Sequence, residues 1–308
     1  MMDRVKGLVM IISGGIFWGA TGPMMEWLLS TTDISVSFML TIRLLLAGAM
    51  LLAILKMRGK NIYAPWREQY LARQLVIFGV VGMLGVQFSF VASIDASSAV
   101  MATLFQFLAP IYIILFVSWQ HRKMPPTVQV LGMTLTLGGL FLLLTNGSLS
   151  SLTLSGAALF WGLAVGLAFS FYTLYPAMLM QEWGVLLSVA WAMVIGGVVL
   201  LVFNVVTIVK QFYLLGDWKV TFMLLMAIIV GTAAFTLFLG SMKYISAIEA
   251  SILSSFEPLT AMVISVLWFG QLMGMWQLIG AVIMLLGVMW ISVSGSKIDT
   301  GGEDLLKE

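Results

Sequence analysis

A chain of 308 residues that is 61% hydrophobic and 9% charged, with mean hydropathy +1.08, lies far from a soluble domain, in which about a quarter of residues are charged. It belongs in a bilayer. A net charge of +2, no cysteine and one histidine exclude a basic nucleic-acid-binding face, disulfides, thiolate-held metals and thiol catalysis, so no nucleic acid, metal or other cofactor is expected.

Crossing the hydrocarbon core takes about 20 apolar residues per helix. Cut at charges, prolines and polar clusters, the chain yields ten such runs, at approximately 6–29, 34–55, 74–94, 97–119, 127–146, 153–176, 184–209, 220–242, 247–269 and 274–294. The expected fold is an all-α membrane protein of ten transmembrane helices. The first run is too long for a signal peptide and lacks an A-x-A cleavage site, so it stays as a helix. Segment 56–73 carries Lys56, Arg58, Lys60, Arg67 and Arg73 with Pro65 and reads as a basic surface loop, and the tail 295–308 as disordered.

Orientation follows from the basic residues. With a cytoplasmic N-terminus, the inner segments collect Arg4, Lys6, the five just named, Arg122, Lys123, Lys243, Lys297 and Lys307, against only Lys210 and Lys219 outside. The positive-inside rule therefore predicts both termini in the cytoplasm.

Four prolines fall inside spans: Pro23, Pro110, Pro176 and Pro258. Ser93, Ser98, Ala99, Ala102 and Pro110 match Ser241, Ser246, Ala247, Ala250 and Pro258 at a common offset of 148 residues, as do Gln129, Gly132 and Gly139 with Gln277, Gly280 and Gly287. In the opening span of each half the register is open: Pro23 and Pro176 differ by 153, Phe17-Trp18-Gly19 and Phe160-Trp161-Gly162 by 143. Five spans is an odd number, so the second copy enters from the other side. Two inverted five-helix repeats follow, residues 1–146 and 147–294, a plan that points to transport with the solute at the seam.

The pattern resembles the EamA-type ten-helix members of the drug/metabolite transporter superfamily over essentially the whole chain. The resemblance is carried by Phe17-Trp18-Gly19, by 43–48 (RLLLAG), by Leu108-Ala109-Pro110, by Glu257-Pro258, and by Trp268-Phe269-Gly270-Gln271 with Gly280. It implies export or uptake of amino acids or other small metabolites through a cavity between the halves. One departure is that the family's Gly-Glu after spans four and nine is replaced by Lys123 and Gln271. The superfamily's small multidrug exporters carry an acid in mid-span one; segment 13–22 holds none, which weighs against that cation antiport.

Each intramembrane proline leaves the carbonyl four residues earlier without its helical donor, here at Gly19, Gln106, Tyr172 and Ser254. Such groups belong against protein or a wet cavity rather than lipid. Arg43 and Glu257 are the charges deepest in the apolar runs and should face inward, since an ionised group at mid-bilayer costs about 2.5–3.5 kcal/mol or more. The substrate-binding candidates are Trp18, Gly19, Arg43, Gln87, Gln106, Tyr172 and Ser254; Trp161 and Phe171 are further wall candidates. Glu257 is the coupling candidate. Packing roles compete with each: Arg43 as a helix tie, the aromatics as ordinary lipid-facing or interfacial side chains, the glutamines as helix glue, the prolines as plain kinks. Glu26, Asp33, Asp95, Glu182 and Glu249 read as solvated helix-end charges.

The function these readings favour is secondary transport of a small organic metabolite, an amino acid or related amine or carboxylate, across the plasma membrane by alternating access, with export the favoured direction. Its partners would be that solute, membrane lipid, and protons or another coupling ion. With no G-x-x-x-x-G-K-[ST] sequence, energy would come from a gradient, exchange or downhill flow. The alternatives are a lipid-handling or channel-like protein and, least favoured, an intramembrane enzyme, since His121 stands in a connector and the acids do not cluster.

Overall fold

The computed structural model describes residues 2–147, 155–241, 244–245, 256–270 and 272–299, and every regular element among them is a helix. Span one is Met2–Thr31 and span two Val36–Met57. Span three runs Gln69–Ile77, Phe78–Leu84 and Gly85–Ala96, the middle piece in π geometry. Span four is split into Ala99–Gln106 and Ala109–His121, and span five is Thr127–Thr145. Spans six to ten are Gly156–Leu174 with its extension Ala177–Trp183, then Val185–Phe203, Trp218–Ser241, Phe256–Phe269 and Met275–Asp299. The chain is an all-α, multi-pass membrane protein. Its last helix continues to Asp299, past the expected end at 294, and residues 300–308 of the expected tail lie outside the described residues.

Local sequence explains the starts. Serine hydroxyls at Ser35, Ser98 and Ser155 accept the backbone N–H of Phe38, Met101 and Ala158, so spans two, four and six each begin on a side-chain cap. The basic loop is anchored by Trp191 of span seven, whose indole N–H donates to the Ile62 carbonyl at 2.7 Å. At the other end of the bundle, Gln211 accepts from the Ser35 N–H and hydroxyl and donates to the Asp33 carbonyl.

Lipid is as apolar as leucine, so helices in a membrane associate through close packing and polar contacts. Close packing here has a symmetry. Span five lies along span ten, its own counterpart in the other copy, and span two along span seven. Span one packs on spans eight and nine, while span six packs on spans three and four, the same pairings with the copies exchanged.

Direction comes from the glycines. A Cβ on Gly132 would stand 3.2 Å from the Gly287 carbonyl oxygen, and one on Gly139 would stand 2.6 Å from that of Gly280. The numbers rise on one helix as they fall on the other, so equivalent spans are antiparallel and the repeats are inverted. Spans two and seven obey the same rule: a Cβ on Gly48 would meet Val194 Cγ2 at 2.7 Å and one on Gly197 would meet Leu45 Cγ at 2.8 Å. Exchanging copies at an offset of 149 turns the first contact into the second.

The register left open in spans one and six closes at about 148. Gly14 abuts Ala234 and Phe238, while Trp161 packs edge-on to Phe88 at 5.6 Å. At that offset Trp161 and Phe88 correspond to positions 13 and 236, the same level of the bundle.

Candidate functional site

Arg43, about two turns into span two, is 9% exposed. Its Nη1 donates to Gln87 Oε1 of span three at 3.1 Å and to Met25 Sδ of span one at 3.1 Å. A Cβ on Gly231 of span eight would stand 3.5 Å from Arg43 Nη2 and 3.5 Å from Thr21 Cγ2. Four spans thus converge on one guanidinium. Of these neighbours only Gln87 is expected from sequence; Thr21, Met25 and Gly231 carry no signal in a single apolar sequence.

Glu257 opens span nine and is also 9% exposed. Its backbone meets Gly19: a Cβ there would be 2.8 Å from Thr260 Cβ, so glycine is what lets span one reach span nine. At about 100° per residue, Thr21 and Met25 lie roughly 200° and 240° round span one from Gly19. Arg43 and Glu257 therefore flank span one on opposite faces, and Arg43 takes Gln87 and Met25 as partners.

The prolines act unequally. At Pro110 the helix stops at Gln106 and resumes at Ala109, with the Ala109 carbonyl accepting the Ser170 hydroxyl of span six at 3.1 Å. Pro176 interrupts span six between Leu174 and Ala177, and Pro258 sits in the first turn of span nine. The expected break at Pro23 is not observed. Span one continues unbroken through it, because a proline in a long helix clamped between spans eight and nine costs a hydrogen bond without freeing either end.

Among the described residues, the remaining candidates are not seen to touch the Arg43 guanidinium. Trp18 meets Phe238 edge-on at 5.3 Å and Tyr172 stacks on Phe78 at 5.4 Å. Gln106 ends the first half of span four, and Ser254 lies outside the described residues. Glu26 corrects an expectation: it is 7% exposed, and its Oε2 accepts the Ala99 N–H at 2.7 Å, placing a carboxylate on the first turn of span four. Sequence pattern cannot separate such a buried cap from a solvated acid at a helix end.

The two ends of the bundle differ. At one end Gly7 packs on the 244–245 turn so closely that a Cβ would stand 2.7 Å from Tyr244 Cβ and from Ile245 Cγ2; Lys6 lies 4.9 Å over the Tyr244 ring and Ile11 is fully buried. At an offset of 148, Gly7 corresponds to Ser155, Tyr244 to Ala96, Ile245 to Ser97 and Ile11 to Leu159. At the other end these counterparts border open space: Ser155, Ala96 and Ser97 line a cavity of about 420 Å³, and Leu159 is 38% exposed. Ser98, Ser265 and Gln277 add polar groups to its wall.

A membrane-embedded bundle of two inverted repeats, with buried charge between its helices and one end open, has the build of an integral membrane transporter. The chain belongs to the EamA-like transporter family, whose pattern it matches twice, over residues 5–145 and 156–293. It is 34% identical over 293 residues to the uncharacterized inner membrane transporter YicL of Salmonella typhimurium, covering 95% of this chain and 97% of that one. It is 28% identical over 218 residues, 70% of this chain and 75% of the relative, to an uncharacterized transporter of Archaeoglobus fulgidus. A solved crystal structure shares the fold, with TM-score 0.61 and 15% identity over 95% of this chain and 98% of that one.

Proposed function

We propose that this protein is a secondary carrier that moves a small organic metabolite, an amino acid or a related amine or carboxylate, across the plasma membrane by alternating access, with export the favoured direction. The observation that carries the proposal is the unequal pair of ends. Gly7 touches Tyr244 and Ile245, whereas their equivalents Ser155, Ala96 and Ser97 surround a cavity. Two copies related by an inverting twofold, one closed where the other is open, are what a rocking carrier needs: exchanging the two conformations opens the opposite face.

In this reading the halves are residues 1–146 and 147–294, and both termini are cytoplasmic. The shut end, beside Arg4 and Lys6, then faces the cytoplasm, and the cavity faces outward. The solute passes the seam lined by Trp18, Gly19, Arg43, Gln87, Gln106, Tyr172 and Ser254, and Glu257 couples transport to protons.

The test is a solute panel in proteoliposomes under imposed proton and sodium gradients, recording uptake and counterflow together. Saturable flux with counterflow is expected. Non-saturating flux would favour a channel, and no flux of any small solute would favour lipid handling.

A further inference from the structure

Arg43 poses a problem of charge. A guanidinium is always ionised and offers five N–H donors, yet the acceptors it meets are the neutral Gln87 Oε1 and Met25 Sδ. Among the described residues no carboxylate pairs with it. The acid nearest along span one, Glu26, directs Oε2 to the Ala99 N–H, and Glu257 stands beyond the opposite face of that span. A buried cation held by neutral groups alone is costly, and the cost falls when an anion arrives.

Helix packing does not call for this arginine. At an offset of 149 its position in the second copy is Ala192, which is fully buried, and spans two and seven approach equally closely on either side of their twofold. The scaffold is duplicated and the charge is single. Next to the guanidinium's other edge, Gly231 presents no side chain.

We infer that Arg43 is the counter-charge for an anionic oxygen group on the transported solute, a carboxylate, which approaches the Nη2 edge beside Gly231 and Thr21 while Gln87 and Met25 hold Nη1. This rests on the carrier reading and narrows it: acids, amino acids included, are carried, and amines or amides without an acid are not. A carboxylate presents two oxygens to the planar fork, which favours it over a point-like halide.

Matched triplets test the inference: an amino acid, its carboxamide and its decarboxylated amine, each assayed for saturable uptake and counterflow in proteoliposomes of the full chain. Only the acid-bearing member should be carried, and the same acids should raise the melting temperature of the detergent-purified protein. Arg43→Gln should lower kcat/KM for the acid by about 10- to 100-fold, the scale of one charged hydrogen bond, and Arg43→Lys by less. If Arg43→Gln fails to fold, selectivity and thermal shift in the wild type decide alone. Saturable transport of the amide or amine as efficient as that of the acid would overturn the inference while leaving the carrier reading intact, as would a folded Arg43→Gln with unchanged kcat/KM for the acid. Absence of saturable flux for every solute would instead overturn the carrier reading on which it stands.

Discussion

Gly139 and Gly280 stand face to face, and a Cβ added to either would come within 2.6 Å of the other's carbonyl oxygen. The contact recurs between their counterparts at 148, Gly287 and Gly132, where added Cβ atoms would stand 2.9 Å and 3.2 Å from the facing carbonyl oxygens, so a twofold axis passes between spans five and ten midway between the two contacts. Glycine on both helices brings backbone onto backbone, the closest approach two helices make in a membrane.

Gly139→Val and its twofold counterpart Gly287→Val should therefore be comparably harmful, each lowering stability by about 1–3 kcal/mol through overpacking. Thermal unfolding in detergent measures this. A large loss for one variant and none for the other would contradict the twofold.

Removing the acceptor from the start of span four should also be costly. Glu26→Leu leaves the buried Ala99 N–H without its carboxylate, a loss of about 1–2 kcal/mol, while Glu26→Gln keeps an oxygen in reach and should retain much of the stability. Equal melting temperatures for the two variants would remove Glu26 from the fold's support.

The outline of the bundle was legible in the chain because membrane helices announce themselves by length and apolarity, and because glycines and prolines repeat at 148 where helices meet or break. Gly132, Gly139, Gly280 and Gly287 are matched by sequence and meet in space. What stayed hidden was decided by neighbours. Pro23 reads like Pro110, yet span one continues through it because two spans clamp it, while span four is interrupted. The π-helical stretch Phe78–Leu84 has no periodic signature; its Gly79 lets Ile195 of span seven come close, a partner more than a hundred residues away. For Arg43, sequence indicated that partners must exist, and only the fold shows that they are Gln87 and Met25.

Glu257 gives a prediction about energy coupling. With glutamine in its place, proton-gradient-driven accumulation should disappear while solute exchange continues, since exchange needs the seam but no net proton movement. An unchanged dependence of transport on pH in Glu257→Gln would exclude the coupling role.

The most direct test of alternating access uses the absence of native cysteine. In Ser97→Cys/Ser155→Cys a short bifunctional reagent should draw the outer cavity shut, and a single reporter, Ile245→Cys, carried in a parallel protein whose outer end is closed through lysines at 97 and 155 instead, reads the inner end. Closing the outer end should turn Ile245→Cys from protected to reactive with a maleimide supplied from the cytoplasmic side. A reporter that stays protected with the outer end sealed would contradict the account.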